Sequence, residues 1–296
     1  MRSLVDDLGN PITPSVAFRS LRDNISSSDP AVNFRRAYFE TNVFGVLRSA
    51  GFRRESLQLA WDFTVSSTMT ITERLRVMRD DALARTATNL PFKITATKDN
   101  PQPNIARRIQ GTMRVPWYLN QAGPGINVRL VTSPGDVNFP LYNGDADATF
   151  TVLVPNSLVQ NRTRGAVVQY GHGLFGDQGE VETAYLAAQA DRYGYVLGAS
   201  NWLGLSDADE LFAADMLSTD VSDFPMIPDR CHQGVLNALL LMRLMTSDAF
   251  IADPAMTFNG SSVIDPTRRF YDGNSLGMCS ARWMCAVFAG LLGISI

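Results

Sequence analysis

The chain has 296 residues, 45% of them hydrophobic and 19% charged, with a formal net charge of -3. Such a composition supports a large core in one big domain or two ordinary ones, and its charge offers no electrostatic footprint for nucleic acid. Three cysteines make no disulfide framework and no metal-ligand spacing, so neither a metal nor a cofactor is expected.

Residues 1–30 are turn-rich, with a short helix near 15–22. Asp29 caps a second helix with Pro30 at its first position, and Gly51 ends it. Phe34, Tyr38, Phe44 and Leu47 are expected on its apolar face. Leu57, Leu59, Trp61, Phe63 and Val65 alternate with polar or small residues, the period of a half-buried strand. Thr70 and Glu73 form a Thr-x-x-Glu capping box before a helix with Ile71, Leu75 and Met78 on its apolar side. Between residues 91 and 155 short strands are expected at 92–97, 106–115, 127–131 and 148–154.

The second half alternates strand and helix. An apolar strand over 166–170 reads as a buried parallel strand. A helix over 181–193 follows, closed by Gly194, and then a strand over 195–199. Residues 202–230 carry six aspartates and one glutamate against one arginine. Leu211, Phe212, Met216 and Phe224 punctuate that stretch, which reads equally as a lid over an acyl pocket or as a solvated connection. An apolar helix over 232–246 leads to a strand beginning near 268, and a last helix is expected over 278–292. Strands alternating with helices imply a mostly parallel sheet covered on both faces. A β-rich module with inserted helices over 1–145, followed by an α/β domain over 146–296, is the expected division. Residues 1–10 show no signal peptide, and the uncharged segment 283–296 is too short to span a bilayer.

Two motifs carry chemistry. Gly273-Asn274-Ser275-Leu276-Gly277 fits Gly-x-Ser-x-Gly, the pattern of a serine on a sharp strand-to-helix turn. Its glycines admit close approach of neighbouring backbone. Gly171-His172-Gly173-Leu174-Phe175-Gly176 directly follows the buried strand. As Gly-x-Gly-x-x-Gly it matches a dinucleotide fingerprint; as His-Gly-Leu-x-Gly it matches an oxyanion loop, whose backbone N–H groups face developing negative charge. A dinucleotide site wants an acid about 20 residues on, at the end of the next strand. Gly198-Ala199-Ser200-Asn201-Trp202 supplies none, which favours the oxyanion loop. His172 then reads as a structural histidine bonded to backbone, and His232 as a helix-start residue. Cys279 and Cys285 read as buried, inert thiols.

Together these residues resemble the α/β-hydrolase superfamily, and with the preceding region they resemble secreted bacterial lipase/esterase-like proteins. Gln169 to Leu174, Asn201 to Gly204, His232 to Asn237, Gly273 to Gly277 and the earlier Leu59 to Thr64 carry the resemblance, over about residues 55–280. It implies a partial α/β-hydrolase fold and hydrolysis of small-molecule or lipid carboxylic esters, in a secreted or cell-envelope setting. It also implies Ser275 as nucleophile and the backbone N–H groups of Leu174 and Leu276 as oxyanion donors. His172, Gly173, Gly273 and Gly277 are motif support, and Trp202, at the carboxyl end of a strand, is a candidate pocket wall.

The chain departs from that pattern in two places. The superfamily's triad runs Ser, then Asp or Glu, then His, yet no Asp, Glu or His follows Ser275. Met278 also stands where a small residue is usual. The chain therefore reads as an interior fragment with little esterase activity, and with an unpaired sheet edge that invites self-association. A non-catalytic scaffold that keeps the fold, and a dinucleotide-binding enzyme using Gly171 to Gly176, are the alternatives.

Overall fold

The structure, a computed structural model, describes residues 1–87, 89–123, 125 and 127–277. Met278, Cys279, Cys285 and the helix expected over 278–292 lie outside the described residues. The chain forms two compact units, Met1–Ser67 and Thr68–Ile296.

In the first unit, α1 (Val16–Arg22) is capped by the Ser15 side chain and α2 (Pro30–Tyr38) by that of Asp29. A π-helical stretch, Phe39–Phe44, joins α2 to α3 (Gly45–Ser49). That stretch corrects the expected apolar face. Its wider turns rotate the buried stripe, so Phe39, Val43 and Phe44 meet Phe18, Leu21 and Leu57, while Phe34 is left 88% exposed. The strand expected over 57–65 does not form. Leu57 and Ala60 are buried, but Trp61, Phe63 and Val65 point to solvent, because no neighbouring strand is there to share a ladder among the described residues.

The second unit opens with α4 (Thr68–Arg85), two residues ahead of the expected Thr70 start, and buries Leu75, Met78 and Ala82. Its strands are β1 (Phe92–Gln102), β2 (Ile105–Pro116), the short pair β3 (Thr132–Ser133) and β4 (Asp136–Pro140), and β5 (Asp145–Pro155). Residues 127–131 make only a single bridge, Leu130 to Leu119, in place of the expected strand. After α5 (Asn156–Asn161) come β6 (Gly165–Gly171), α6 (Ala184–Tyr193) and β7 (Tyr195–Ser200). Gly194 ends α6 at φ +65, a conformation that suits glycine. Then follow α7 (Glu210–Thr219), α8 (Met226–Met245), α9 (Asp248–Ile251), the hairpin β8 (Thr257–Phe258) and β9 (Ser261–Ser262), and β10 (Ile264–Gly273).

Six strands make one sheet in the order β1-β2-β5-β7-β6-β10. The pairings β1–β2, β2–β5 and β5–β7 are antiparallel, and β7–β6 and β6–β10 are parallel. Four of the six strands, β2, β7, β6 and β10, therefore run the same way. Alternate side chains serve opposite faces. Val152, Val167 and Val196 join Leu75, Met78, Leu236 and Leu240 on the side of α4 and α8. Leu153, Val168 and Leu197 join Leu186 and Ala190 on the side of α6. Helices thus cover both faces of the sheet, as expected. β1 and β2 pair into the same sheet as β5, and the two compact units part between Ser67 and Thr68.

Candidate active site

At the carboxyl end of β10, Gly273 pairs with Gly171 of β6, which brings the two motifs to one place. The Asn274 N–H donates to the Gly171 carbonyl at 3.0 Å, and the Gly277 N–H donates to the Asn274 carbonyl at 2.8 Å. Between them Ser275 adopts φ +50, with its side chain exposed. For a residue with a Cβ that conformation costs about 1–2 kcal/mol. The flanking glycines are required by contact. A Cβ on Gly277 would lie 2.2 Å from the Gly171 carbonyl oxygen, and one on Gly171 would lie 2.0 Å from the Tyr271 hydroxyl. The Tyr271 hydroxyl donates to the Gly277 carbonyl at 2.8 Å, tying strand to turn.

The loop after β6 lies alongside. A Cβ on Gly173 would be 3.9 Å from the Ser275 Cβ and 3.3 Å from the Asn274 side-chain amide. Gly173 opens a tight turn closed by the Gly176 N–H at 3.1 Å, with Phe175 at φ +55. The Phe175 N–H donates to the Leu205 carbonyl at 2.8 Å and the Asp207 N–H to the Gly176 carbonyl at 3.0 Å, so the segment after β7 braces the turn. Leu174, at its tip, is exposed, and among the described residues nothing accepts from its N–H.

Glu180 holds the other side. Its carboxylate accepts the Gly173 N–H at 3.1 and 3.3 Å and the Tyr170 hydroxyl at 3.2 Å. Burial, then the Glu180 charge, pushes the Tyr170 phenol up to about 12. This carboxylate weighs against the dinucleotide reading. The backbone cradle that would approach a pyrophosphate already faces an anion, since a Cβ on Gly176 would lie 2.1 Å from Glu180 Oε1.

Both histidines are engaged. His172 is buried, with Nδ1 2.8 Å from the Gly173 carbonyl and Nε2 accepting the Trp202 N–H at 2.8 Å. Those two bonds fix the Nδ1–H tautomer and leave no ring nitrogen for a proton from Ser275. His232 does not start its helix: α8 begins at Met226, and Nδ1 of His232 faces the Pro228 carbonyl one turn back. Burial lowers its pKa below the usual value near 6.5. It lines a cavity of about 360 Å³ that also includes Leu276.

Trp202 is buried, its indole N–H edge packed toward Gly171 and its ring at 78° to that of Tyr271, 6.3 Å away. It backs the turn, and among the described residues that line the cavity it does not appear. The acidic stretch folds as α7 with short 3₁₀ turns on either side. Asp209 and Arg230, both buried, pair at 2.6 Å, and the other Asp209 oxygen accepts from the Gly204 and Ser206 N–H groups and the Ser206 hydroxyl. Sequence reasoning passed over this pair, although Ser206-x-x-Asp209 is a capping-box pattern that marks it. Glu180 and the strained Phe175 had no such signal. Among the described residues no three His, Cys, Asp or Glu side chains cluster to hold a metal ion, and no helix is long and apolar enough to cross a membrane.

No protein-family model and no curated protein matches the chain. Solved structures similar to it include acetyl xylan esterase 1 from Thermoanaerobacterium sp. JW/SL YS485, at 13% identity and a TM-score of 0.42 over 76% of this chain and 56% of that one. The rice cell wall degrading esterase LipA from Xanthomonas oryzae matches at 14% identity and a TM-score of 0.30, over 69% of this chain and 48% of its own. An S-formylglutathione hydrolase from Agrobacterium tumefaciens matches at 15% identity and a TM-score of 0.34, over 65% and 56% respectively. The chain spans about half the length of these structures.

Proposed function

We propose that the site around Ser275 belongs to a hydrolase of carboxylic esters. In this reading the Ser275 hydroxyl attacks the ester carbonyl, the alcohol leaves, and water releases the acyl group from the serine. The N–H groups of Leu174 and Leu276 hydrogen-bond the oxyanion as it develops, each donor contributing about 3 kcal/mol in the transition state. The observation that carries the reading is the strained backbone of Ser275, a non-glycine at φ +50 on a strand-to-helix turn against the Gly173 loop. Strain of this kind persists only where the surroundings over-determine it, and here it leaves Ser275 exposed beside the Gly173 loop.

Activation of the hydroxyl is the weak point. Among the described residues nothing is hydrogen-bonded to the Ser275 hydroxyl, and His172 has both ring nitrogens occupied. Oxyanion donors and substrate binding alone sustain about 10³–10⁴-fold catalysis over water. Turnover of p-nitrophenyl butyrate is therefore expected in that range, and added imidazole should raise it by serving as the base. The imidazole-dependent increment should vanish in Ser275→Ala. An increment unchanged by that substitution, together with no labelling of Ser275 by a fluorophosphonate, would leave the scaffold reading in its place. Turnover at full triad rates would instead show that a base reaches Ser275, and His232→Gln would then be the variant to measure.

Self-association belongs to the same proposal. Among the described residues β10 pairs along one edge only, with β6, and an open edge recruits strands. A monomer in sedimentation velocity across a hundredfold range of concentration would remove it.

A further inference from the structure

We propose that the cavity of about 360 Å³ between α4 and α8 is an acyl-chain site, and that the ester's acid part is an unbranched chain of medium length. The inference rests on the ester-hydrolase reading of Ser275 and adds which end of the substrate goes where.

Leu276 fixes the orientation. It follows Ser275 directly and forms part of the cavity wall, so an acyl group whose carbonyl sits at Ser275 has this space open to its tail. Leu75 of α4, Leu205, Phe224, and Ile227 and Val235 of α8 make up most of the remaining wall. The polar exceptions carry no charge at neutral pH. Burial, and then the nearby Asp209 carboxylate, pushes the Cys231 thiol up to about 12. Burial keeps the His232 imidazole neutral, and its Nδ1–H is committed to the Pro228 carbonyl at 2.6 Å. A wall of this kind rejects ionised and sugar-like groups, whose hydrogen bonds would go unmade, and accepts methylenes.

Size sets the length. An acetyl group would leave most of a space of about 360 Å³ empty, whereas a chain of about eight carbons has room to lie along its wall. Each methylene buried should tighten binding about threefold to fourfold until the space is full. Phe224, 56% exposed, stands at the rim, and the longer acidic stretch that carries it thereby acquires a part in the site.

The test uses uncleavable analogues, so that it does not depend on turnover. Methyl ketones from 2-pentanone to 2-tridecanone are titrated calorimetrically into the whole chain. Affinity should rise about threefold per methylene up to 2-nonanone or 2-undecanone and then level off. Val235→Phe, which extends a ring into the cavity, should move the plateau shorter by two or more carbons. Ile71→Trp does the same from the α4 side, where the native residue is 45% exposed and a larger one is tolerated, so one variant folds even if the other does not. An affinity independent of chain length, or a plateau that neither variant moves, would overturn the assignment. Fluorophosphonate labelling of Ser275 in the same preparation reports on the hydrolase reading separately. Labelling without chain-length dependence sinks only the acyl site, and chain-length dependence without any Ser275-dependent turnover in added imidazole sinks only the reaction.

Discussion

Two residues at the site, Ser275 and Phe175, carry positive φ without being glycine, at φ +50 and +55. Each is held by neighbours rather than by its own preference: Ser275 by the bonds of Asn274 and Gly277, Phe175 by the Leu205 carbonyl. Replacing Ser275 by glycine removes the strain while alanine keeps it, so Ser275→Gly should be more stable than Ser275→Ala by about 1 kcal/mol in urea denaturation. Gly277→Ala should do the reverse. Its methyl would overlap the backbone of Gly171, and a loss of about 2–3 kcal/mol is expected, with the melt falling accordingly. His232 gives a pH signature. Its folded pKa lies below the usual 6.5 because burial disfavours the cation, so the unfolded chain takes up the proton first as pH falls. Its contribution is complete above about pH 6.5 and is lost progressively below it. Urea midpoints at pH 7.5 and 5 should separate in the parent and draw closer in His232→Gln; an unchanged gap would assign the effect to another group.

The braces between elements decide where the oxyanion turn stands. The segment after β7 reaches that turn through Leu205 and Asp207, and Asp209 fastens the same segment to Arg230 of α8. Asp209→Ala would leave a buried guanidinium without its anion, and a loss of about 3–5 kcal/mol is expected. The same change should slow ester turnover or probe labelling more than it weakens ketone binding, since it loosens the turn while leaving most of the cavity wall in place. Glu180 acts from the opposite side on the Gly173 N–H. Glu180→Gln keeps an acceptor there and Glu180→Ala removes it. Labelling of Ser275 should therefore fall about tenfold more in the alanine variant, and equal losses would assign the effect to charge rather than to the hydrogen bond.

At the scale of the whole molecule, the two compact units have separate cores. Phe18, Phe39 and Phe44 centre the first, and the clusters on both sides of the sheet draw only on residues from Leu75 onward. Residues 68–296 expressed alone should accordingly show one cooperative urea transition. The amino-acid sequence by itself determined the strand–helix alternation of the second half, the glycine-flanked serine and the His-Gly-Leu turn. These are local matters, set by periodicity and by single positions where only certain backbones fit. The sequence did not show that 57–65 would stay out of any sheet or that a π turn would rotate the helix after Pro30. Nor did it place Glu180 under Gly173, Trp202 behind the turn, or His232 beside Leu276 in a common cavity. Those depend on which segments meet across tens of residues, and a strand pattern without a partner, or a carboxylate without its amide, has no local signature. Only the packed sheet, by bringing the ends of β6, β7 and β10 together, decides them.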